Sequence, residues 1–223
     1  MNRKEKIQSG QLYHVFSKSI AGYRIFNSNR DFSRMRDMIR YYRTEKAKVK
    51  FSRFIMLRKE GKEVLSNLNT PKSFGNNLLV QIISYCLMPT HLHFILKQLK
   101  ENGISTFMMK LLNSYSHYFN TKHRRKGPLW EGRFKNVLID SDELLLHMTR
   151  YVHLNPVTAY IVDDPQSWPA SSYNEYLLEI GEENKICKYG DILEINPQTY
   201  KEFVNDRIGY QRELSNMKGL LLD

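Results

Sequence analysis

The sequence predicts an α+β fold, a ferredoxin-like antiparallel sheet with helices packed on it, plus a small C-terminal helical extension. Two β-rich apolar runs, Leu78 to Met88 and His91 to Leu96, are joined by only Pro89-Thr90, so they must pair antiparallel. Segments with helical apolar spacing interleave with strand-like ones in the order strand, helix, paired strands, helix, strand, helix. At 223 residues the chain buries a sound core without a disulfide or metal staple.

Gln11 to Ser19 is aromatic and β-branched, with Leu12-Tyr13-His14-Val15-Phe16 at its centre, and Gly22 breaks it. From Asn29 or Asp31, Phe32, Met35, Met38 and Ile39 recur at helical intervals with Arg and Lys outside. Residues 49–77 mix Gly, Asn and Pro and read as an irregular insertion or a short helix and loop. After Gly103, the stripe Phe107, Met108, Leu111, Leu112, Tyr115 and Tyr118 predicts a long helix ending in a basic cluster before Gly127-Pro128. Arg133 to Ile139 is strand-like. Asp140, with Glu143 three residues on, is expected to cap a helix that meets Pro156 just after Asn155. Trp168 to Tyr173 opens another helix, and the last residues suggest one or two more.

Cys86 and Cys187 are the only cysteines and lie far apart, which predicts free thiols in a reducing compartment. The amino terminus is polar and no apolar run approaches the roughly 18 to 20 residues that cross a bilayer, so a cytoplasmic protein with no membrane partner is expected. The net charge of +11 is unevenly spread: residues 1–159 hold 28 Lys and Arg against 11 Asp and Glu, whereas residues 160–206 hold 3 against 10. The first two thirds form a polycation, whose natural partner is a polyanion, nucleic acid first.

Within the strand that follows Thr90, His91, His93 and Ile95 share one side and Leu92, Phe94 and Leu96 the other. The apolar side packs on a core, which turns the two imidazoles toward a ligand, a metal or substrate; two hydrogen-bonded imidazoles on a half-buried face are the plainer alternative. Tyr151 and Asn155, four apart, project from one helix face, as a nucleophile and a carboxamide ligand or as ordinary core and end residues. Two imidazoles and an amide oxygen leave positions open on a divalent ion, Mg²⁺ or Mn²⁺, which suits an ion holding a substrate phosphate better than a closed zinc site. Lys122, Arg124, Arg125 and Lys126, followed by Trp130 and Arg133, combine cations for a phosphate backbone with a stacking aromatic. A solvated loop with Trp130 tucked into the core is the competing reading.

Five segments in order, Tyr13-His14-Val15, Leu87 to His93, Gly127 to Lys135, Arg150 to Val157 and Ser167 to Tyr173, resemble the single-tyrosine HUH transposases of insertion sequences, most closely the REP-associated tyrosine transposases. The resemblance implies an HUH-type catalytic domain over residues 1–160, with 49–77 as an insertion, and a mostly helical extension over 161–223. It implies a DNA strand transferase acting on single-stranded DNA with hairpins: Tyr151 forms a 5′-phosphotyrosine link, and His91, His93 and Asn155 hold the divalent metal. Monomer and homodimer are both compatible with it. Two other readings stay open, a domesticated DNA-binding protein of the same fold that no longer cuts and a metal-dependent phosphoesterase that uses water.

Overall fold

A computed structural model describes residues 6–60, 77–181 and 184–213. Most of the insertion expected at 49–77, the last ten residues with any helix there, and the first five residues lie outside them. The core is a four-stranded antiparallel sheet of β1 (Leu12–Lys18), β2 (Val80–Met88), β3 (His91–Gln98) and β4 (Lys135–Ile139), in the order β2-β3-β1-β4. With α1 (Asn29–Tyr42) between β1 and β2 and α3 (Gly103–Lys122) between β3 and β4, this is the ferredoxin-like plan. Pro89 and Thr90 form the tight turn between the paired strands.

The two faces of the sheet have different coverings. Val15, Leu92, Phe94 and Leu96 bury against Met35 and Ile39 of α1 and Phe107 and Leu111 of α3. On the other face, Cys86, Met88, Ile95 and Ile139 pack under Leu145 and Val152 of α4 (Asp142–Thr158). Period-2 alternation in the strands, read against 3.6-residue periodicity in the helices, produces both layers. The short α2 (Phe51–Lys59) sits outside α1, with Phe51 and Phe54 against Tyr41.

α4 begins one residue later than expected. Ser141, not Asp140, is the N-cap, and its side chain accepts from the Leu144 N–H. The helix also runs through Pro156 to Thr158 instead of stopping at Asn155. Pro156 has no N–H to give the Val152 carbonyl four residues back. Asn155 supplies a substitute, its Nδ2 lying 3.4 Å from that oxygen and 2.8 Å from the Tyr151 carbonyl.

The segment after residue 160 is bound into the same core. It holds a 3₁₀ turn (Pro165–Ser167), the four-residue α5 (Tyr173–Tyr176) and α6 (Pro197–Asn205), joined by extended chain. The helix expected to open at Trp168 starts only at Tyr173, because residues 170–172 run beside β2: Leu87 N–H bonds Ala170 O, and Ser172 N–H bonds Tyr85 O. This covers an exposed sheet edge. His153 of α4 lies fully buried between Tyr200 and Ser172, at 2.7 and 2.8 Å, so the C-terminal segment holds α4 from behind.

α3 starts where its backbone crosses Leu79, and a Cβ on Gly103 would lie 2.2 Å from the Leu79 carbonyl oxygen. Because backbone meets backbone, Gly103→Ala is expected to lower unfolding stability by about 2 to 3 kcal/mol, in the upper half of the overpacking range. A urea denaturation midpoint equal to that of the parent protein would show that this crossing yields freely.

Candidate active site

The site forms where β1 and β3 lie side by side. Their register sets Phe16 opposite His93 and Lys18 opposite His91, with His14 one strand repeat further along the same face. The His14 and His93 rings lie nearly coplanar, centroids 5.2 Å apart and planes 7° apart, joined edge to edge by a hydrogen bond of 2.9 Å between His14 Nε2 and His93 Nδ1. Phe16 stacks against both, at 5.1 and 5.8 Å. His91 stands edge-on to His93 at 5.1 Å, and its Nδ1 is 2.9 Å from Thr90 Oγ1. Each histidine of the pair thus has Nδ1 engaged by the protein and Nε2 available.

α4 brings in the phenol. The Tyr151 ring meets His14 edge-on at 5.7 Å and 83°, and His93 at 5.8 Å and 90°. Tyr151 is 37% exposed although the rings under it are buried. Within this chain α4 and the β1–β3 pair bring the tyrosine and the histidines together.

Burial sets the charge states. Desolvation lowers the pKa of His14 to about 4 and that of His91, helped by Lys18, also to about 4. His93 is driven well below the usual histidine range by burial and then by His14, His91 and Lys18. All three rings are neutral at pH 7, which permits the nitrogen-to-nitrogen hydrogen bond between His14 and His93 and leaves lone pairs for a ligand. Burial, with a smaller effect of Cys86, raises the Tyr151 pKa above 10.0, so the phenol keeps its proton.

Among the described residues no group of three or more His, Cys, Asp or Glu side chains is arranged to hold a metal. His91 and His93 nonetheless fit half a coordination shell: metal-binding imidazoles characteristically have the other ring nitrogen engaged, as both do here. Among the described residues Asn155 does not bond either histidine, its Nδ2 being turned back on its own helix.

The predicted DNA-contacting residues divide. Trp130 is not a stacking platform: it is 8% exposed within the main core, and its Nε1 donates to Leu112 O at 3.1 Å. Its indole belongs to the apolar layer between loop and α3. Lys122 pairs with buried Asp31 at 2.6 Å, and Arg125 bonds Asn120 and Pro128, so both serve local structure. Arg124, Lys126 and Arg133 are exposed. Glu131 N–H bonds Lys18 O, which ties the loop after α3 to the end of β1. A cleft of about 320 Å³ opens there, lined by Phe16, Lys18, Arg133 and Lys135 among others, and it adjoins the histidines through Phe16.

His14, Lys18 and Lys135 are the residues that motif reading left without a role. The signal was present: His14 and Lys18 alternate with core residues in a strand whose fold plan sets it beside the histidine strand.

Fold and site together define a class, a ferredoxin-like domain with a His-x-His strand under a helical tyrosine. The chain resembles the IS200-like transposases: the family model described as "Transposase IS200 like" matches residues 47–155, a span holding His91, His93, Tyr151 and Asn155 but not His14. A Haemophilus influenzae protein bearing the name of a REP-associated tyrosine transposase is 30% identical over 42% of this chain; the match spans only 59% of that protein's length. A solved REP-associated tyrosine transposase, bound to a REP hairpin, superposes with a TM-score of 0.53 at 13% identity, covering 88% of this chain and 95% of that one. At that identity the likeness speaks for the fold.

The depressed histidine pKa values have a defined pH consequence. The folded state refuses protons that the unfolded chain accepts, so the stability tied to a neutral ring is complete above pH 6.5. It falls as acid is added toward pH 4, by about 1.4 kcal/mol per pH unit for one ring. Ring resonances of His14 and His91 in NMR are expected to titrate near pH 4, and His14→Phe to flatten the acid limb of stability against pH. Midpoints near 6.5 would mean that the rings are solvated.

Proposed function

We propose that this protein is a DNA strand transferase that cleaves and rejoins single-stranded DNA at hairpin-forming sequences, with Tyr151 as its nucleophile. One observation carries the reading: the Tyr151 ring seated edge-on against His14 and His93, beside His91. The likeness to IS200-like transposases supports the class of chemistry, and the hairpin bound to the solved relative supports the substrate. Among the described residues no helix is long and apolar enough to cross a membrane, which fits a cytoplasmic protein meeting DNA.

In the forward step the Tyr151 oxygen attacks the scissile phosphorus and the bond to the 3′-oxygen breaks. The 5′-phosphate stays on the tyrosine, and the departing oxygen takes a proton to become a 3′-hydroxyl. Attack by a 3′-hydroxyl reverses the step, and because the phosphotyrosine conserves the diester's energy, joining needs no nucleotide cofactor. A divalent cation, Mg²⁺ or Mn²⁺, bound by His91 and His93 would supply positive charge to the phosphate oxygens. Asn155 is the candidate third protein ligand through Oδ1, the atom its helix does not use.

His14 does not serve as a stored base. A phenol raised by burial, facing an imidazole lowered by burial to about 4, makes prior proton transfer strongly uphill. The phenol therefore loses its proton only as the bond to phosphorus forms, while His14 fixes the His93 ring. Phe16, Lys18, Arg133 and Lys135 offer the adjoining strand a track with an aromatic in it that is net basic, three cations against the Glu131 carboxylate in the same cleft.

With Mn²⁺ and a labelled single strand bearing a hairpin, the protein is expected to form a covalent adduct that Tyr151→Phe cannot form. The double variant His91→Ala/His93→Ala should lose at least a hundredfold in cleavage yet still bind DNA. Full adduct yield from Tyr151→Phe would refute the assigned nucleophile. For the track, Lys18→Gln with Arg133→Gln is expected to lower the slope of log affinity against log salt by roughly 0.7 per cation removed. An unchanged slope would move the strand elsewhere.

A further inference from the structure

The face of the sheet away from Tyr151 carries a second concentration of positive charge. Between α1, α2 and α3 lies a cavity of about 840 Å³ whose walls include Arg30, Arg34, Lys48, Lys50, Lys110 and Lys122 and, among the described residues, no carboxylate. The nearby acid, Asp31, is already saturated: it takes Lys122 Nζ at 2.6 Å, Tyr118 OH at 2.8 Å, Ser28 Oγ at 2.9 Å and the Asn27 N–H at 3.1 Å. With Lys122 so neutralised, the other five cations face the cavity, and none makes an ion pair among the described residues.

Arg34 is the most constrained of them. Its guanidinium carbon sits 4.5 Å over the Phe51 ring and 5.3 Å from that of Tyr118, and its buried Nε has no hydrogen-bond partner. An arginine held between two aromatic rings with a donor unspent is a preformed fork for an anion, and the like charges around it repel until one arrives. The cavity is within the size range of small-ligand sites, and Asn113 and Ser114 on the α3 wall add neutral hydrogen-bonding groups beside the cations.

We propose that this cavity binds a nucleotide, its phosphate held by Arg34 and Lys110 and its neutral portion against Asn113 and Ser114. The source is either a free nucleotide or an unpaired nucleotide of a bound strand. It is not the nucleotide that reacts, because the sheet and the layer of α1 and α3 lie between this cavity and Tyr151.

The test uses the full chain carrying Tyr151→Phe, so that binding is measured apart from chemistry. N-methylanthraniloyl-ADP and a labelled eight-nucleotide single strand are titrated separately by fluorescence. Binding of the free nucleotide, weakened at least tenfold by Arg34→Gln and by Lys110→Gln, establishes the site for free nucleotides. No nucleotide binding, with strand affinity reduced at least tenfold by the same changes, assigns it to an unpaired nucleotide of DNA. Affinities unchanged by both substitutions overturn the proposal, whether or not the probes bind elsewhere. Lys110 is partly exposed and its side chain bonds only Ala47 O, so Lys110→Gln keeps the test valid should Arg34→Gln loosen the Phe51 contact. Arg34→Lys, which keeps charge but loses the fork, should fall between the parent and Arg34→Gln.

Discussion

The register between β1 and β3 is the constraint on which the rest of this molecule depends. It aligns Phe16 with His93 and Lys18 with His91, and so brings His14 within hydrogen-bond reach of His93. Strand side chains have a period of two, so a slip of one residue would send the imidazoles into the α1–α3 core and Val15 toward solvent. That slip is heavily penalised, because Val15, Leu92, Phe94 and Leu96 are fully buried. Hydrophobic packing on one face therefore holds the polar constellation on the other.

The helix over that constellation is positioned from behind. His153 is bonded on both ring nitrogens, to Tyr200 and Ser172, and Ser172 is also bonded to the backbone of Tyr85 in β2. This neutral, fully satisfied network locks the rotation of α4, and rotation is what decides whether Tyr151 meets the histidines. The acidic C-terminal third thus has a physical role: its buried polar groups and its pairing along β2 hold the tyrosine helix on the sheet. Burial also sets the chemistry, since the packing that orders the rings removes their protons at neutral pH and leaves the phenol protonated.

Positive charge is divided between two surfaces that the sequence does not distinguish. Lys18, Arg133 and Lys135 border the histidine face, whereas Arg34 and Lys110 line a cavity behind the sheet. Lys122 and Arg125, adjacent in the basic run to exposed Arg124 and Lys126, are consumed by Asp31 and by loop carbonyl and amide groups. A charge count treats these cations alike; the partners around each one separate them.

Local pattern was enough to determine the sheet, its order of elements, the shared face of His91 and His93, and the helix that carries Tyr151, because period, turn chemistry and apolar spacing are properties of contiguous residues. What required the tertiary structure was every relation between distant segments. His14 joins the site only through strand pairing, Trp130 goes inside because α3 offers it a carbonyl, and α4 survives Pro156 because Asn155 replaces the missing donor. The physical reason is common to all three. A side chain's partner is chosen by distance in space, and a sequence records only distance along the chain.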